Sequence, residues 1–200
     1  MPPRQRRFVD MFAGSAGPGG ETNTSSGYDR LTMIIERWKP SVTVAAIAER
    51  DGRFLLVEEE TAEGLRLNNP AGHLDEGESP LQAVVRETLE ETTLRFEPDA
   101  LLGVYISRFV RPARGEDVTY LRLAFRGRIV GDPVPGRTLD HGIVRTLWLT
   151  PDEMRAAAAR MRSPLVLRCL EDHLAGRRFP LDTIRADDSI WQPEVKRAGS

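Results

Sequence analysis

Residues 70–94 read PAGHLDEGESPLQAVVRETLEETTL, and this stretch decides the fold. Ser79 precedes Pro80, an order typical of a helix that begins with proline and has a capping hydroxyl before it. Gln82 can complete a capping box with Ser79. The spacing therefore predicts a helix from Pro80 to about Thr92.

The predicted helix has two chemically distinct faces. At about 100° per residue, Glu87, Glu90 and Glu91 fall within an arc of about 100°. The opposite side carries the residues expected in the core, namely Leu81, Val85, Thr88 and Leu89. One face is predicted to be core and the other to be a cluster of carboxylates.

A carboxylate cluster of this kind suggests a bound cation. Like charges three and four residues apart repel each other, and residues 70–94 contain no lysine to relieve them. Oxygen ligands without cysteine or paired histidine suit Mg²⁺, with Mn²⁺ as a substitute. Taken alone, the three glutamates favour the simpler alternative of a solvated acidic face.

The surrounding residues reverse that preference because they resemble the Nudix box. Six fixed positions match by chance roughly once in 10⁷ at a given start, given average residue usage. The matching positions are Gly72, Glu78, Arg86, Glu87, Glu90 and Glu91. Thr88 and Thr93 depart from the box, which usually has an aliphatic residue and a glycine there. Since threonine does not easily adopt a positive φ, the turn after the helix is expected to be altered.

The resemblance implies a fold, a reaction and a site. The fold would be the α+β Nudix fold, a mixed β-sheet sandwiched between α-helices, and the reaction metal-dependent hydrolysis of a pyrophosphate-type bond. Glu87, Glu90 and Glu91 would be catalytic metal ligands, together with the backbone carbonyl of Gly72. Glu78 and Arg86 would form a structural brace beside them, and Arg86 would also belong to the catalytic residues.

The general base is left open by the resemblance. One carboxylate must be free to take a proton from water. Glu91 or Glu87 is the expected base, and Asp140, outside the box, is a further candidate.

Outside the box, the apolar pattern predicts strands and two more helices. Apolar residues alternate over 42–46, Asp51-Gly52 interrupts the pattern, and a β-rich run follows at 54–57, which is a hairpin signal. Further strands are predicted at 101–110, 118–130 and 143–149, with helices from Pro151 to about Met161 and from Pro164 to about Leu174. The layout predicts a mixed α+β domain.

The ends of the chain differ in composition from its middle. Residues 1–32 combine glycine with Ser, Thr and Asn and have no apolar period, so we expect a disordered leader. Its arginines leave open an RNA-binding or targeting arm, and Met33 is a possible natural start. The Nudix domain is predicted to span 33–186, with a tail at 187–200.

The overall composition restricts the partners. The 200 residues carry a formal net charge of -2, which does not suit a protein that grips nucleic acid by its phosphates. Cys169 is the only cysteine, which fits a reducing cytoplasm, and no apolar run is long enough for a membrane span. We expect a cytoplasmic monomer or homodimer acting on a small phosphate substrate.

The resemblance extends beyond the box, from about Lys39 to Ile184. The stretches KPSVTVAAI, FLLVEEET, NPAGHL, MRSPLV and GRRFPL resemble a subgroup of small bacterial Nudix phosphatases. That subgroup implies hydroxymethylpyrimidine pyrophosphate, thiamine pyrophosphate and nucleoside di- or triphosphates as substrates, with release of orthophosphate. Hydrolysis of ADP-ribose or of RNA ends, or a non-catalytic Nudix regulator that only binds ligand, remain the alternatives.

Five residues are further candidates for substrate binding. They are His73, Tyr105, Arg108, Tyr120 and Asp140. Histidine and arginine can contact phosphate, and tyrosine can stack on a pyrimidine ring. Each also has a simpler interpretation, as a solvated histidine, a core aromatic, a surface charge or a turn acid.

Overall fold

A computed structural model describes residues 38–112 and 115–191. Within these residues the strands are β1 Ser41–Arg50, β2 Arg53–Thr61, β3 Gly64–Asn68, β4 Ala71–His73, β5 Arg95–Arg111, β6 Glu116–Val130 and β7 Ile143–Leu149. The helices are α1 Pro80–Thr92, α2 Pro151–Ala156 and α3 Pro164–Leu174. The predicted leader, 1–32, lies outside the described residues. Of the predicted tail, 187–191 is described, and Asp188–Trp191 forms a 3₁₀ turn there.

Strand β1 is the centre of a mixed sheet with the order β3-β2-β1-β6-β5. β1 pairs with β6 in parallel and with β2 and β4 antiparallel. β5 pairs antiparallel with β6, while β3 and β7 both pair antiparallel with β2. The mixed sheet predicted from the hairpin signals is therefore confirmed.

The burial of β1 on both sides shows that both faces of the sheet are covered. Val44 and Ala46 pack in one cluster with Ala83 of α1. Ala45 and Ile47 point the other way and pack in a second cluster with residues of α3 that include Cys169. We call these two sides the α1 face and the α3 face, and they confirm the predicted sandwich.

The predicted hairpin is present between β1 and β2. Asp51 and Gly52 have φ values of 51° and 72°. Two consecutive positive φ values define the tight turn that matches the twist of antiparallel strands. Glu49 pairs with Phe54 on either side of it.

Helix α1 begins and ends as predicted. Ser79 accepts a hydrogen bond from the Gln82 amide, and the Gln82 side chain accepts one from the Ser79 amide. The prediction of an altered turn after the helix is wrong. Thr93 adopts the left-handed conformation with φ 61°, and its amide donates to the Leu89 carbonyl at 3.0 Å. The helix therefore ends with the usual left-handed residue, and the backbone of Thr93 is locally strained.

The second predicted helix is shorter than expected, whereas the third matches. α2 ends at Ala156, and a 3₁₀ turn, Ala158–Arg160, follows. The chain then joins β3, because the Arg162 amide donates to the Leu67 carbonyl at 2.8 Å. This pairing needs extended backbone at Met161 and ends the helical stretch. Among the described helices, none is long and apolar enough to cross a membrane.

Candidate active site

Strand β4 and helix α1 bring Gly72 and Glu87 into direct contact. Gly72 pairs with Val44 of β1 and so faces α1. A Cβ atom at this position would lie 2.1 Å from the Glu87 carboxylate carbon. Only glycine therefore lets the carboxylate of Glu87 rest against the backbone of β4.

Arg86 is the hub of the hydrogen bonds around the helix. Its Nε and Nη2 donate to the two oxygens of Glu78 at 3.0 and 2.7 Å. Its Nη1 donates to Glu87 at 2.8 Å and to Glu90 at 3.0 Å. Nη2 also donates to the His73 carbonyl at 3.0 Å. One guanidinium therefore links the loop, β4 and two glutamates of α1.

Glu78 fixes the loop before α1 in the same way. Its Oε1 accepts from the Asp75 amide at 2.8 Å, while the paired Arg86 side chain is 28% exposed. Hydrogen bonds from Arg86 hold the pKa of the Glu78 carboxyl below its usual value. These are the contacts that a brace between loop and helix requires.

Glu91 is the most deeply buried carboxylate of the box. Its Oε2 accepts from the Ala71 amide at 2.9 Å, and only 9% of the residue is exposed. Burial raises the pKa of Glu91 to about 8. The negative charges of Glu87, Glu59 and Asp140 act in the same direction, against the Ala71 hydrogen bond. Glu91 thus lies in a strongly negative, partly desolvated environment.

The three box carboxylates approach β4 and Arg86 but do not converge on a single point. Within 38–112 and 115–191, no group of three or more His, Cys, Asp or Glu side chains has the geometry of a metal site. Glu87 and Glu90 turn toward Arg86, and Glu91 turns toward the Ala71 amide. Arg86 Nη1 thus holds the carboxylates of Glu87 and Glu90 near each other, while Glu91 lies against β4.

The chemistry of the donor set nevertheless fits a hard divalent cation. Burial raises the pKa of Glu87 as well as that of Glu91, so negative charge at both positions is under-compensated. Carboxylate oxygens are the ligands that such cations prefer. Metal binding by Glu87, Glu90, Glu91 and the Gly72 carbonyl stays a prediction.

A cavity of about 500 Å³ lies beside β4, and Gly72 and His73 are part of its wall. Of the other candidate residues, Arg108 and Tyr120 also line it. The His73 and Tyr120 rings lie 6.4 Å apart. Arg108 is held at the exposed rim by Asp117, with hydrogen bonds of 2.7 and 2.6 Å.

Two other candidates do not line the cavity. Tyr105 is not among the cavity-lining residues; its hydroxyl donates to Asp172 at 3.0 Å, and its ring packs against the core on the α3 face. In the structure Tyr105 therefore has a packing role, and its contact with substrate stays a prediction. The Asp140 amide donates to the Glu90 carbonyl at 3.0 Å, which places this loop against α1.

The sequence offered the arginines of the cavity wall, Arg108, Arg111 and Arg122, as possible phosphate contacts, but it did not indicate several other polar residues of that wall. Thr43, Glu59 and Asn68 line the cavity together with the buried Arg122. Thr43 and Arg122 are direct partners across β1 and β6. Only the pairing register brings these positions together. The alternation of Thr43 with apolar neighbours was the available signal.

The fold and site together place the chain in one protein class. Residues 37–169 match the NUDIX domain family. The chain belongs to the Nudix family and is a hydrolase that acts on phosphorus-containing anhydrides.

Individual relatives support this assignment. The chain is 33% identical to phosphatase NudJ of Escherichia coli strain K12 over 148 residues, covering 74% of this chain and 92% of that protein. A NUDIX hydrolase structure from Nitrosomonas europaea is 48% identical, with a TM-score of 0.68 and coverage of 75% of this chain and 99% of that one. A MutT NUDIX hydrolase from Burkholderia pseudomallei is 25% identical, with a TM-score of 0.54 and coverage of 68% and 98%.

Proposed function

We propose that the protein is a cytoplasmic, Mg²⁺-dependent hydrolase that removes orthophosphate from small diphosphates and triphosphates, with Mn²⁺ as a substitute ion. One observation carries the proposal: the partly buried Glu87 and the buried Glu91 lie against β4, whose residues Gly72 and His73 also border the cavity. The box glutamates do not line the cavity, so the phosphates of a bound substrate would extend past Gly72 and His73 to reach them. The single reduced cysteine, Cys169, agrees with a cytoplasmic location.

Glu87, Glu90 and Glu91 would hold the cation together with the Gly72 carbonyl. When bound, the cation neutralises the phosphate charge and lowers the pKa of a water molecule. Arg86 orients Glu87 and Glu90 through its Nη1, and its contacts to Glu78 keep the loop in place.

Glu91 is the proposed general base. The Ala71 amide holds Oε2, which leaves Oε1 to accept the proton of the attacking water. A pKa of about 8 suits a group that takes a proton near neutral pH. Glu87, whose pKa is also raised, is the second candidate.

The similarity to phosphatase NudJ supports a substrate range. We propose hydroxymethylpyrimidine pyrophosphate, thiamine pyrophosphate and nucleoside di- and triphosphates, each attacked at the terminal phosphorus. A triphosphate would then be degraded stepwise, first to the diphosphate and then to the monophosphate.

The test is hydrolysis of these compounds with Mg²⁺ in ¹⁸O-water, followed by mass analysis. Terminal attack places the label in orthophosphate. Label in the nucleotide with pyrophosphate as co-product would contradict the proposal and indicate attack at an inner phosphorus. Absence of turnover across the panel would instead favour a ligand-binding regulator.

The role of the glutamates is tested by Glu91→Gln, which keeps the shape and removes the charge. We expect kcat to fall by about 10² to 10⁴, the range for loss of a general base or of the metal. The matched control is Glu97→Gln, an exposed glutamate on β5 that pairs with Arg128. Near-normal activity of both Glu90→Gln and Glu91→Gln would overturn the assignment.

A further inference from the structure

The wall of the cavity contains a concentration of buried polar atoms without hydrogen-bond partners. In the described part of the chain, seven buried side-chain nitrogen or oxygen atoms lack a partner. Four of them belong to cavity-lining residues. These are Thr43 Oγ1, Glu59 Oε1, Asn68 Oδ1 and Arg122 Nη1, which we call the polar floor. Buried polar groups are normally satisfied, so this concentration points to a ligand.

Arg122 is the most unusual member of the polar floor. It is 9% exposed, and burial lowers the pKa of its guanidinium. Three other arginines line the cavity, and each lies within 4.0 Å of a carboxylate: Arg108 of Asp117, Arg111 of Glu116 and Arg162 of Glu59. No such ion pair is found for Arg122 among the described residues. Glu59 and Glu91 act on Arg122 electrostatically without forming an ion pair with it, so its buried charge is incompletely compensated, which favours a role in binding.

The mixture of donors and acceptors restricts the ligand group. Arg122 Nη1 can only donate, whereas Glu59 Oε1 and Asn68 Oδ1 accept, and the Thr43 hydroxyl can do either. Arg162 Nε lies 3.3 Å from Glu59 Oε1 but does not form a hydrogen bond with it. An ionised phosphate has only acceptors and would leave Glu59 and Asn68 unsatisfied. The polar floor instead suits a group that presents a donor next to an acceptor.

The remaining walls favour a flat ring. Phe109, Tyr120 and His73 line the cavity beside the polar floor. The guanidinium of Arg111 lies over the Phe109 ring at 4.4 Å, which fixes that ring in place. Aromatic side chains provide surfaces on which a heterocycle can stack.

We propose that the polar floor binds the organic end of the substrate, a heteroaromatic ring that carries an amino group next to a ring acceptor. Arg122 donates to the ring acceptor, and Glu59 and Asn68 accept from the amino group. The phosphates extend past His73 and Gly72 to the carboxylates of α1. This assignment rests on the proposed function and adds the residues that choose the substrate.

The experiment compares two substrates in the full-length enzyme with its metal. Cytidine diphosphate carries the required ring, and methyl diphosphate has none. For Arg122→Met we expect KM for cytidine diphosphate to rise about tenfold to a hundredfold, the effect of losing a buried polar contact to the substrate. kcat/KM for methyl diphosphate should stay within about twofold. Because a buried charge is removed, Tm should be unchanged or higher.

A matched control is available on the same strand and the same side of the sheet. Arg126 is 20% exposed, pairs with Asp99 and is not among the residues lining the cavity. Arg126→Met should leave both KM values unchanged. Asn68→Leu removes an acceptor of the polar floor and should also raise KM for cytidine diphosphate but not for methyl diphosphate.

Three outcomes separate the possibilities. Equal losses on both substrates would show that Arg122 holds phosphate, and would overturn the assignment. A lower Tm with unchanged KM for Arg122→Met would mean that the arginine is structural. If wild type hydrolyses neither compound, the proposed function fails. Calorimetric binding of cytidine monophosphate, weakened in Arg122→Met but not in Arg126→Met, would still support the ring site.

Discussion

Thr93 shows how a single residue departs from its family's pattern without changing the backbone. Its φ of 61° is a conformation that favours glycine, yet the helix still ends there through the Leu89 carbonyl. The Thr93 carbonyl also accepts from the Val134 amide at 2.9 Å. The surrounding hydrogen bonds therefore impose the conformation on a β-branched residue.

We predict that Thr93→Gly stabilises the protein by about 1 kcal/mol, because glycine adopts this conformation without a Cβ clash. The measurement is the free energy of unfolding from denaturant titration. Thr93→Ala retains a Cβ and is the control, for which little gain is expected. Equal gains from both substitutions would show that the threonine side chain, and not the backbone angle, is unfavourable.

Gly72 provides a residue-scale prediction about activity. In Gly72→Ala the new methyl group would fall 2.1 Å from the Glu87 carboxylate carbon, so Glu87 must leave its place against β4. We expect kcat to fall about a hundredfold, as for other displaced catalytic groups. The same clash should lower Tm, and adding Glu87→Asp, which shortens the acid, should restore Tm but not kcat. Full activity of Gly72→Ala would refute the placement of Glu87.

The residue scale also shows what the sequence could predict of the site. Glu87, Glu90 and Glu91 lie on one helix, so their shared side follows from local periodicity. The individual partners of these glutamates, Arg86 for Glu87 and Glu90 and the Ala71 amide for Glu91, do not follow from the periodicity. The residues of the polar floor come from β1, β2, β3 and β6. Their proximity depends on how these strands pair, which no local sequence pattern predicts.

At the scale of elements, Arg86 and Glu78 connect the loop before α1 to the helix itself. Arg86→Ala removes five hydrogen bonds from a partly buried network. We expect a loss of about 2–3 kcal/mol, between the values for exposed and fully buried pairs. With Glu78→Gln, a double-mutant cycle should give a coupling of about 1 kcal/mol or more.

The control for this cycle is Arg155 with Glu171, a surface pair between α2 and α3 whose side chains are 44% and 50% exposed. Solvent screens such a pair, so no measurable coupling is expected. Small and additive losses at Arg86 and Glu78, like those of the surface pair, would mean that there is no brace.

Elements with strong local signals were predicted, and those defined by distant partners were not. The proline and capping hydroxyl at the start of each helix identified all three α-helix starts among the described residues. The end of α2 was misplaced, because β3 determines it through Leu67. β3 and β4 have only five and three residues, which is too short for an alternation of apolar and polar residues to be recognised in the sequence.

At the scale of the whole molecule, we expect the chain starting at Met33 to fold and to hydrolyse substrate like the full chain. The family match begins at residue 37, and the first strand begins at Ser41. Tm and kcat of the shortened and full chains provide the measurement. A large loss of either quantity would show that the first 32 residues contribute to the fold or to catalysis.

Metal binding should also be visible as a property of the whole fold. A ligand that binds only the folded state stabilises it by about 2.7 kcal/mol at a hundred times its Kd. We therefore expect Mg²⁺ to raise Tm and chelation to reverse the rise and abolish turnover. Glu97→Gln should retain this shift, while Glu91→Gln should lose most of it. An unchanged shift in Glu91→Gln would remove that residue from the metal site.

The burial of β1 on both faces has a consequence for how this enzyme can change over evolutionary time. Residues 44 and 46 support the helix that carries the glutamates, whereas residues 43 and 45 face the side of α3 and the cavity. Mutations that alter the choice of ring can therefore accumulate on one side while selection preserves hydrolysis on the other. A designer seeking a new specificity would randomise positions 43, 59, 68 and 122 and leave α1 untouched.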